Sequence, residues 1–127
     1  MLVKTLVNVS THSEGASGGT HTSDAFLIEG VFDAESLAFF LYASKKAGTS
    51  PTLDVKIQTS PDNSNWVDTG VTFTQVTTST ASTEVKMLST NGLCPYIRAV
   101  CTIGGTGTPS YSMKVMASAI GRGEWGG

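Results

Sequence analysis

The chain has 127 residues, the length of one domain, and carries a net charge of −2 with only 14% charged residues. Soluble domains contain about 25% charged residues, so this surface offers no basic stripe to a phosphate backbone, and we exclude nucleic acid as a partner. No apolar run approaches the roughly 20 residues of a membrane span, and the first residues are too polar for a signal peptide. We therefore expect no membrane contact, and synthesis in the cytoplasm.

The two cysteines, Cys94 and Cys101, are predicted to be free thiols. Seven residues of extended strand separate them by roughly 23 Å, whereas a disulfide needs Cα atoms within about 7 Å. Cys101 falls on the apolar face of its strand, where it acts as a small hydrophobic residue.

Residues 2–9 form the first predicted strand, and the polar residues 10–24 that follow are predicted to be a long loop. Residues 25–32 make the next strand. We divide the chain into this N-terminal segment over 1–24, a sandwich domain over 25–120 and a C-terminal arm over 121–127.

Residues 33–48 are the ambiguous segment. Asp33 and Gly48 suit the two ends of a helix, so a helix is one interpretation. Against it, the larger apolar side chains alternate as in a strand whose two faces are both covered. We favour a strand over residues 36–44. The two alternating sets are Leu37, Phe39 and Leu41 on one face and Ala38, Phe40 and Tyr42 on the other.

Residues 53–58 alternate between apolar and polar side chains, which indicates a half-buried strand. Pro61 and Asp62 then predict a β-turn. Trp66 follows the turn, and we expect it to anchor in the core; a platform that stacks on sugars is the alternative.

Further strands are predicted over residues 66–70, 71–76, 83–88, 96–103 and 112–120. The last two alternate clearly, and the glycine-rich residues 104–109 are expected to join them as a flexible hairpin loop. The side chains expected to face inward are Ile97, Ala99, Cys101, Ile103, Met113, Val115, Ala117 and Ala119. About eight strands separated by turns predict an all-β, antiparallel, jelly-roll-like β-sandwich.

No residue pattern indicates catalysis or a bound cofactor. His12 and His21 lie in the polar loop with Glu14 and Asp24 nearby, but they lack the spacing of a zinc site, so we interpret them as exposed loop histidines. No serine sits in a nucleophile-elbow pattern with a base. We therefore expect a protein that is not an enzyme and has no metal and no cofactor.

Calcium is a further alternative, since Asp54, Asp62 and Asp68 flank the Pro61 turn. Turn formation accounts for Asp62, and a solvated strand face accounts for Asp54. We therefore favour structural roles for these carboxylates.

Two regions are candidates for contact with other proteins. Phe40 and Tyr42 are too apolar for free solvent if the opposite face of their strand fills the core, unless the domain buries both faces. The arm over 121–127 is too rich in glycine to form an element of its own. We expect its tryptophan to dock on another chain, with packing on its own domain as the alternative. The residues expected to make contacts at the two ends are Leu2, Val3, Arg122, Glu124 and Trp125.

The sequence resembles the capsid decoration, or cement, proteins of tailed bacteriophages. The segments that carry this resemblance are residues 47–62, Trp66, residues 96–100 and the Gly-Thr-Gly segment that follows. The resemblance covers roughly residues 25–120 and rests on strands and turns. It implies a jelly roll, a strand over residues 36–44, and homotrimers seated where capsomers of the major capsid protein meet.

The expected function is therefore structural: a protein that binds the outside of a phage head and stabilises it. One alternative is a tail or fibre module that binds host glycans through Trp66 or other exposed aromatic residues. Another is a head-to-tail or tail subunit that forms rings.

Overall fold

The computed structural model describes residues 3–27, 36–89 and 93–120 of the protein. Its seven strands are β1 (Val3–Ser13), β2 (Gly18–Thr22), β3 (Phe26–Leu27), β4 (Ser36–Ser60), β5 (Val67–Thr72), β6 (Ser82–Ser89) and β7 (Tyr96–Ile120). All their pairings are antiparallel. Within the described ranges no helix is long and apolar enough to cross a membrane.

The two longest strands, β4 and β7, form one continuous ribbon of 25 residues on each side. Their pairing runs from Ser36 opposite Ile120 to Ser60 opposite Tyr96, with register shifts between Lys45 and Thr52. Both strands adopt left-handed backbone conformations at this level, with φ of 113° at one glycine of β4 and 119° at one of β7. Because the two strands bend together, the ribbon folds over on itself without losing its pairing.

The bend divides the ribbon into two layers. The first layer has the strand order β1, second half of β7, first half of β4, β6. The second layer has β2 and β3, first half of β7, second half of β4, β5. Each layer is thus four strands wide, and this order, with two strands shared between layers, is that of a jelly roll. The predicted all-β sandwich with about eight strand positions is confirmed.

A single hydrophobic core lies between the layers and takes alternate residues from both halves of the ribbon. Phe39 and Ile57, from opposite halves of β4, are both fully buried. The hydroxyl of Tyr111, also buried, donates a 2.7 Å hydrogen bond to the carbonyl of Val76. The buried residues include seven of the eight predicted to face inward in β7; the side chain of Ala119 lies outside the described residues.

The strand predicted over residues 36–44 is confirmed, and the helix alternative is wrong for residues 36–48. Leu37, Phe39 and Leu41 are at most 2% exposed, so they form the inward face as the alternation indicated. Residues 28–35, which include Asp33 and most of the strand predicted over 25–32, lie outside the described residues.

The hairpin loop predicted over residues 104–109 is wrong. These residues continue β7 through the bend, with Thr106 opposite Thr49 and Gly104 opposite Thr52. Glycine and proline favour hairpin turns and strand bends alike. The bend forms here because β4 carries its own bend at the same level.

The long polar loop predicted over residues 10–24 is also wrong. Strand β1 runs on to Ser13, and residues 18–22 form β2 at the edge of the second layer. Edge strands pair through their backbone and expose many of their side chains, so their sequence need not be apolar. The two strands predicted over residues 66–70 and 71–76 are also wrong: this region holds one strand, β5 (Val67–Thr72), followed by an isolated bridge from Val76 to Leu53.

The turn predicted at Pro61 and Asp62 is present. The Asp62 carboxylate accepts hydrogen bonds from the backbone N–H groups of Asn65 at 2.8 Å and Ser64 at 2.9 Å. These bonds, with one from the Asn65 side chain, hold the pKa of Asp62 well below its usual value. The turn joins β4 to β5.

Trp66 is not the core anchor that we predicted. It is half-buried and lies outside the core, and the guanidinium of Arg98 stands 4.1 Å from its ring centroid. Arg98 in turn donates from Nε to Gln58 on the outward face of the second layer. Trp66 therefore packs beside Arg98 on this outward face.

The two cysteines are free thiols, as predicted. Cys101 is fully buried in the core, and this burial raises its pKa to about 12. It therefore acts as a packing residue.

Substitutions of two glycines test the bend. Gly48→Ala should be clearly more destabilising than Gly70→Ala, although both glycines have positive φ, 113° and 91°. A Cβ on Gly48 would lie 2.7 Å from the Cα of Pro109, whereas a Cβ on Gly70 meets nothing within 4 Å. We expect Gly70→Ala to cost about 1–2 kcal/mol from backbone strain and Gly48→Ala at least about 1 kcal/mol more, measured by urea unfolding. Equal losses would contradict close packing at the bend.

Candidate docking face

The outward side of the first layer carries a continuous apolar surface, which we call the docking face. Register places its residues side by side, since Phe40 of β4 lies opposite Val85 of β6 and Met116 of β7, and Ala38 lies opposite Met87. Directly opposite residues of antiparallel strands share a face. The docking face consists of Ala38, Phe40, Tyr42, Val85, Met87 and Met116.

Several of these side chains are open to solvent. Met87 is 67% exposed, Val85 51% and Tyr42 44%. They are three of the five large apolar side chains exposed to this degree among the described residues. Phe40 is half-buried and lines a shallow depression of about 260 Å³ with neighbours from all three strands. Exposed apolar patches of this kind mark interaction sites more often than isolated apolar residues do.

Polar residues surround the docking face. Tyr42 lies opposite Thr83 and Lys114, Met116 lies opposite Thr5, and Ser118 borders the depression. An apolar centre with a polar rim is the usual anatomy of a protein interface. The face is held on paired strands, so it is presented in one fixed shape.

Phe40 and Tyr42, predicted from the sequence as a contact patch, lie together on this face, and Tyr42 is exposed. The N-terminal and C-terminal contact residues are not placed: Leu2, the side chain of Val3, Arg122, Glu124 and Trp125 lie outside the described residues. Ile120, the last residue before the arm, pairs with Ser36 at the end of the first layer that also holds Ala38 and Met87.

Strand β6 supplies the part of the docking face that sequence reasoning missed. Its apolar residues Val85 and Met87 alternate with Glu84 and Lys86, a pattern that normally places the apolar side in the core. Pairing with β4 reverses this orientation, since Lys86 lies opposite the buried Phe39 and Met87 opposite Ala38. The alternation was visible in the sequence, but its direction was not.

Glu84 has partners of its own on the other side of β6. Its carboxylate accepts hydrogen bonds from the backbone N–H of Thr74 at 2.7 Å and from the Thr74 hydroxyl at 3.2 Å, and it lies 3.4 Å from Lys86 Nζ. Burial opposes ionisation of Glu84, but these contacts outweigh it and hold its pKa below the usual value. The polar side of β6 is thereby fixed against the 73–76 segment, which leaves its apolar side outward.

The outward side of the second layer is polar by contrast. Gln58 donates a 2.9 Å hydrogen bond to Asp68, Lys56 pairs with the same carboxylate at 3.2 Å, and Gln75 donates to Asp54. Within the described ranges, the three aspartates considered for calcium bond to separate partners and form no shared ligand group. The docking face is therefore a property of one layer.

The prediction that the two histidines are exposed loop residues is wrong. His12 lies in β1 and His21 in β2, both are half-buried, and their ring centroids are 4.5 Å apart. Glu14 joins them, whereas Asp24 does not. The cluster lies on the far side of β1 from the docking face.

Comparison with known proteins finds no matching family model and no matching curated protein. Solved structures of infectious bursal disease virus do match. One is a chain of the Gx strain, with a TM-score of 0.65, 16% identity, and coverage of 98% of this chain and 32% of that one. A chain of the T13 viral particle gives 0.67 and 16%, covering 98% and 31%. A chain of the VP2 subviral particle gives 0.60 and 17%, covering 98% and 33%.

This chain thus spans about a third of the length of the viral chains that it matches. At this level of identity the likeness shows a shared fold. The fold of this chain therefore also occurs in part of these infectious bursal disease virus chains.

Neighbouring phenylalanines on opposite faces of β4 test the orientation of the docking face. Phe39→Ala should lower the free energy of unfolding by about 3–5 kcal/mol, because Phe39 is fully buried. Phe40→Ala should cost no more than about 1–2 kcal/mol, because Phe40 is only half-buried on the outward side. Urea unfolding measures both, and a loss at Phe40 equal to that at Phe39 would show that the outward side is not free.

Proposed function

We propose that this protein is a structural virion protein: a capsid decoration, or cement, protein that binds the outer surface of a phage head between capsomers of the major capsid protein. The observation that carries the proposal is the docking face, an exposed apolar surface on a jelly roll of the type used by viral particles. The resemblance of residues 25–120 to phage decoration proteins supports the same assignment.

Attachment would work by burying the docking face across a joint between capsomers. Full burial of a side chain such as Met or Phe contributes about 1.5–3 kcal/mol, and Met87 and Val85 have most of their surface still to bury. The strands already hold these side chains in place, so little ordering cost opposes binding. Many copies that each add a few kcal/mol would stabilise a shell without any chemical reaction.

Self-association into trimers belongs to this proposal, with the terminal segments reaching neighbouring shell subunits. A net charge of −2 provides little long-range attraction. Contact would therefore depend on apolar burial and on hydrogen bonds from the polar rim, and attachment should change little with salt.

One second candidate has support, namely a subunit that builds the shell itself. The likeness to chains of viral particles favours it. Assembly of the purified chain into closed particles without heads would support this candidate over decoration. The glycan-binding alternative loses support, since the Trp66 ring that would stack on a sugar already has Arg98 against it.

Charge placed on the docking face should block attachment. Met87→Lys should weaken binding to purified heads that lack the protein at least about tenfold, because a lysine there cannot be buried at an apolar joint. Met87 is mostly exposed, so the fold should be unaffected. The measurement is copies bound per head at increasing protein concentration.

Thr72→Lys is the matched control, since Thr72 is exposed on the outer side of the second layer opposite Lys56. It should bind heads as the unchanged protein does. Normal occupancy with Met87→Lys would refute docking through this face, and equal loss in both variants would indicate a general charge effect.

Removal of residues 121–127 should also weaken attachment while the domain stays folded. The proposal assigns Trp125 of this arm to contact with a neighbouring shell subunit, and the strands from 3 to 120 pair without it. Circular dichroism and urea unfolding check the fold, and head occupancy checks attachment. Unchanged occupancy would remove the arm from the mechanism.

A further inference from the structure

A cluster of potential metal ligands lies at the edge of the sandwich formed by β1 and β2. His12, Glu14 and His21 each offer a ligand atom, and the three atoms lie within 4.8 Å of one another. Nε2 of His12 is in contact with Oε2 of Glu14. We propose that these three side chains bind a transition-metal ion of the zinc class.

The fold aims both histidines into the space between the layers. His12 lies opposite Tyr111 and His21 opposite Cys101, and both partners are fully buried. Opposite residues share a face, so the histidines point inward from different layers. Their rings, tilted by 53°, meet where the two layers come together at this edge.

A β-bulge gives His12 this direction. Between Val9 and His12, β1 uses one residue more than β7 does between Met113 and Tyr111. Without the extra residue, Thr11 would take the inward position and His12 would face solvent. Bulges are frequent beside functional sites because they redirect a side chain in this way.

The connection between β1 and β2 holds Glu14 against the histidines. The N–H of Gly18 donates to the carbonyl of Gly15 at 3.2 Å, and the N–H of Thr108 donates to that of Ala16 at 3.1 Å. Gly19 has no Cβ, and one built there would lie only 2.9 Å from the Cβ of Glu14. The missing side chain leaves the room that Glu14 occupies.

Two imidazoles and one carboxylate form a ligand set used by zinc and by other first-row transition metals. Metal–ligand bonds of about 2.0–2.1 Å separate the ligand atoms of a tetrahedral site by roughly 3.3 Å. Small rotations of the three side chains would bring their ligand atoms, which now lie within 4.8 Å of one another, to this separation. Calcium and magnesium prefer oxygen ligands alone, so the set selects against them.

Three protein ligands leave a fourth position open for water or for a group on another molecule. His12 and Glu14 keep 22% and 25% of their side-chain surface exposed, so an ion can enter from solvent. A bound ion would tie β1 of one layer to β2 of the other. At a free concentration 100 times its dissociation constant, it would raise the ratio of folded to unfolded protein about 100-fold.

Titration of the full chain, freed of metal by chelation, with zinc chloride tests the proposal. We expect one ion per chain, a dissociation constant below about 10 µM by calorimetry, a higher melting temperature with zinc, and no response to calcium. His12→Gln, His21→Gln and Glu14→Gln should each weaken zinc binding at least tenfold.

Asp24→Asn and Cys94→Ser are the matched controls, since each removes a possible ligand outside the cluster, and both should bind zinc as the unchanged protein does. Circular dichroism confirms that each variant is folded; Glu14 lies beyond the end of β1, so its variant tests the site without altering a strand. Absence of zinc binding, or unchanged binding in folded Glu14→Gln and His21→Gln, would overturn the proposal and leave only a hydrogen bond between His12 and Glu14.

Discussion

The bend shared by β4 and β7 is the constraint on which the rest of the structure depends. A straight ribbon of 25 residues on each side would leave its apolar face in water, whereas the folded ribbon packs its two halves against each other around one core. Both strands must turn at the same level, and their backbones then come close. Cβ atoms at Gly48 and Gly105 would lie 2.7 and 2.9 Å from the backbone of Pro109 and Pro51, so glycine is needed on both sides.

Once the layers are formed, their outer surfaces differ. The second layer is covered by hydrogen-bonded polar side chains around Gln58 and Asp68. The first layer presents the docking face, because β6 pairs with β4 in the orientation that turns Met87 away from the core. A sandwich gains no stability from this exposed apolar surface, which is why we connect it with assembly. The proposed attachment to a viral shell would use this one-sided surface.

The histidine cluster and the docking face use different parts of the same scaffold. The docking face extends over β6, β4 and β7 on the outside of the first layer, whereas His12 and His21 face inward at the edge made by β1 and β2. An ion at the cluster would join the layers without touching the docking face. Metal binding at the cluster and attachment through the docking face can therefore be lost independently of each other.

The sequence by itself determined the alternation within the strands over residues 36–44, 53–58, 96–103 and 112–120. It identified the inward residues around Phe39 and the outward pair Phe40 and Tyr42, because alternation with a period of two is a local property of the chain. Only the tertiary structure decided that residues 104–109 bend within one strand, that the apolar side of β6 faces outward, and that the two histidines meet. Each of these depends on pairing with a distant strand. The apolar side of β6 faces outward because β6 pairs with β4 in a register that places Lys86 opposite Phe39, more than forty positions away in the sequence. A local sequence pattern shows that side chains alternate along a strand, but the pairing with a partner strand decides which side faces the core.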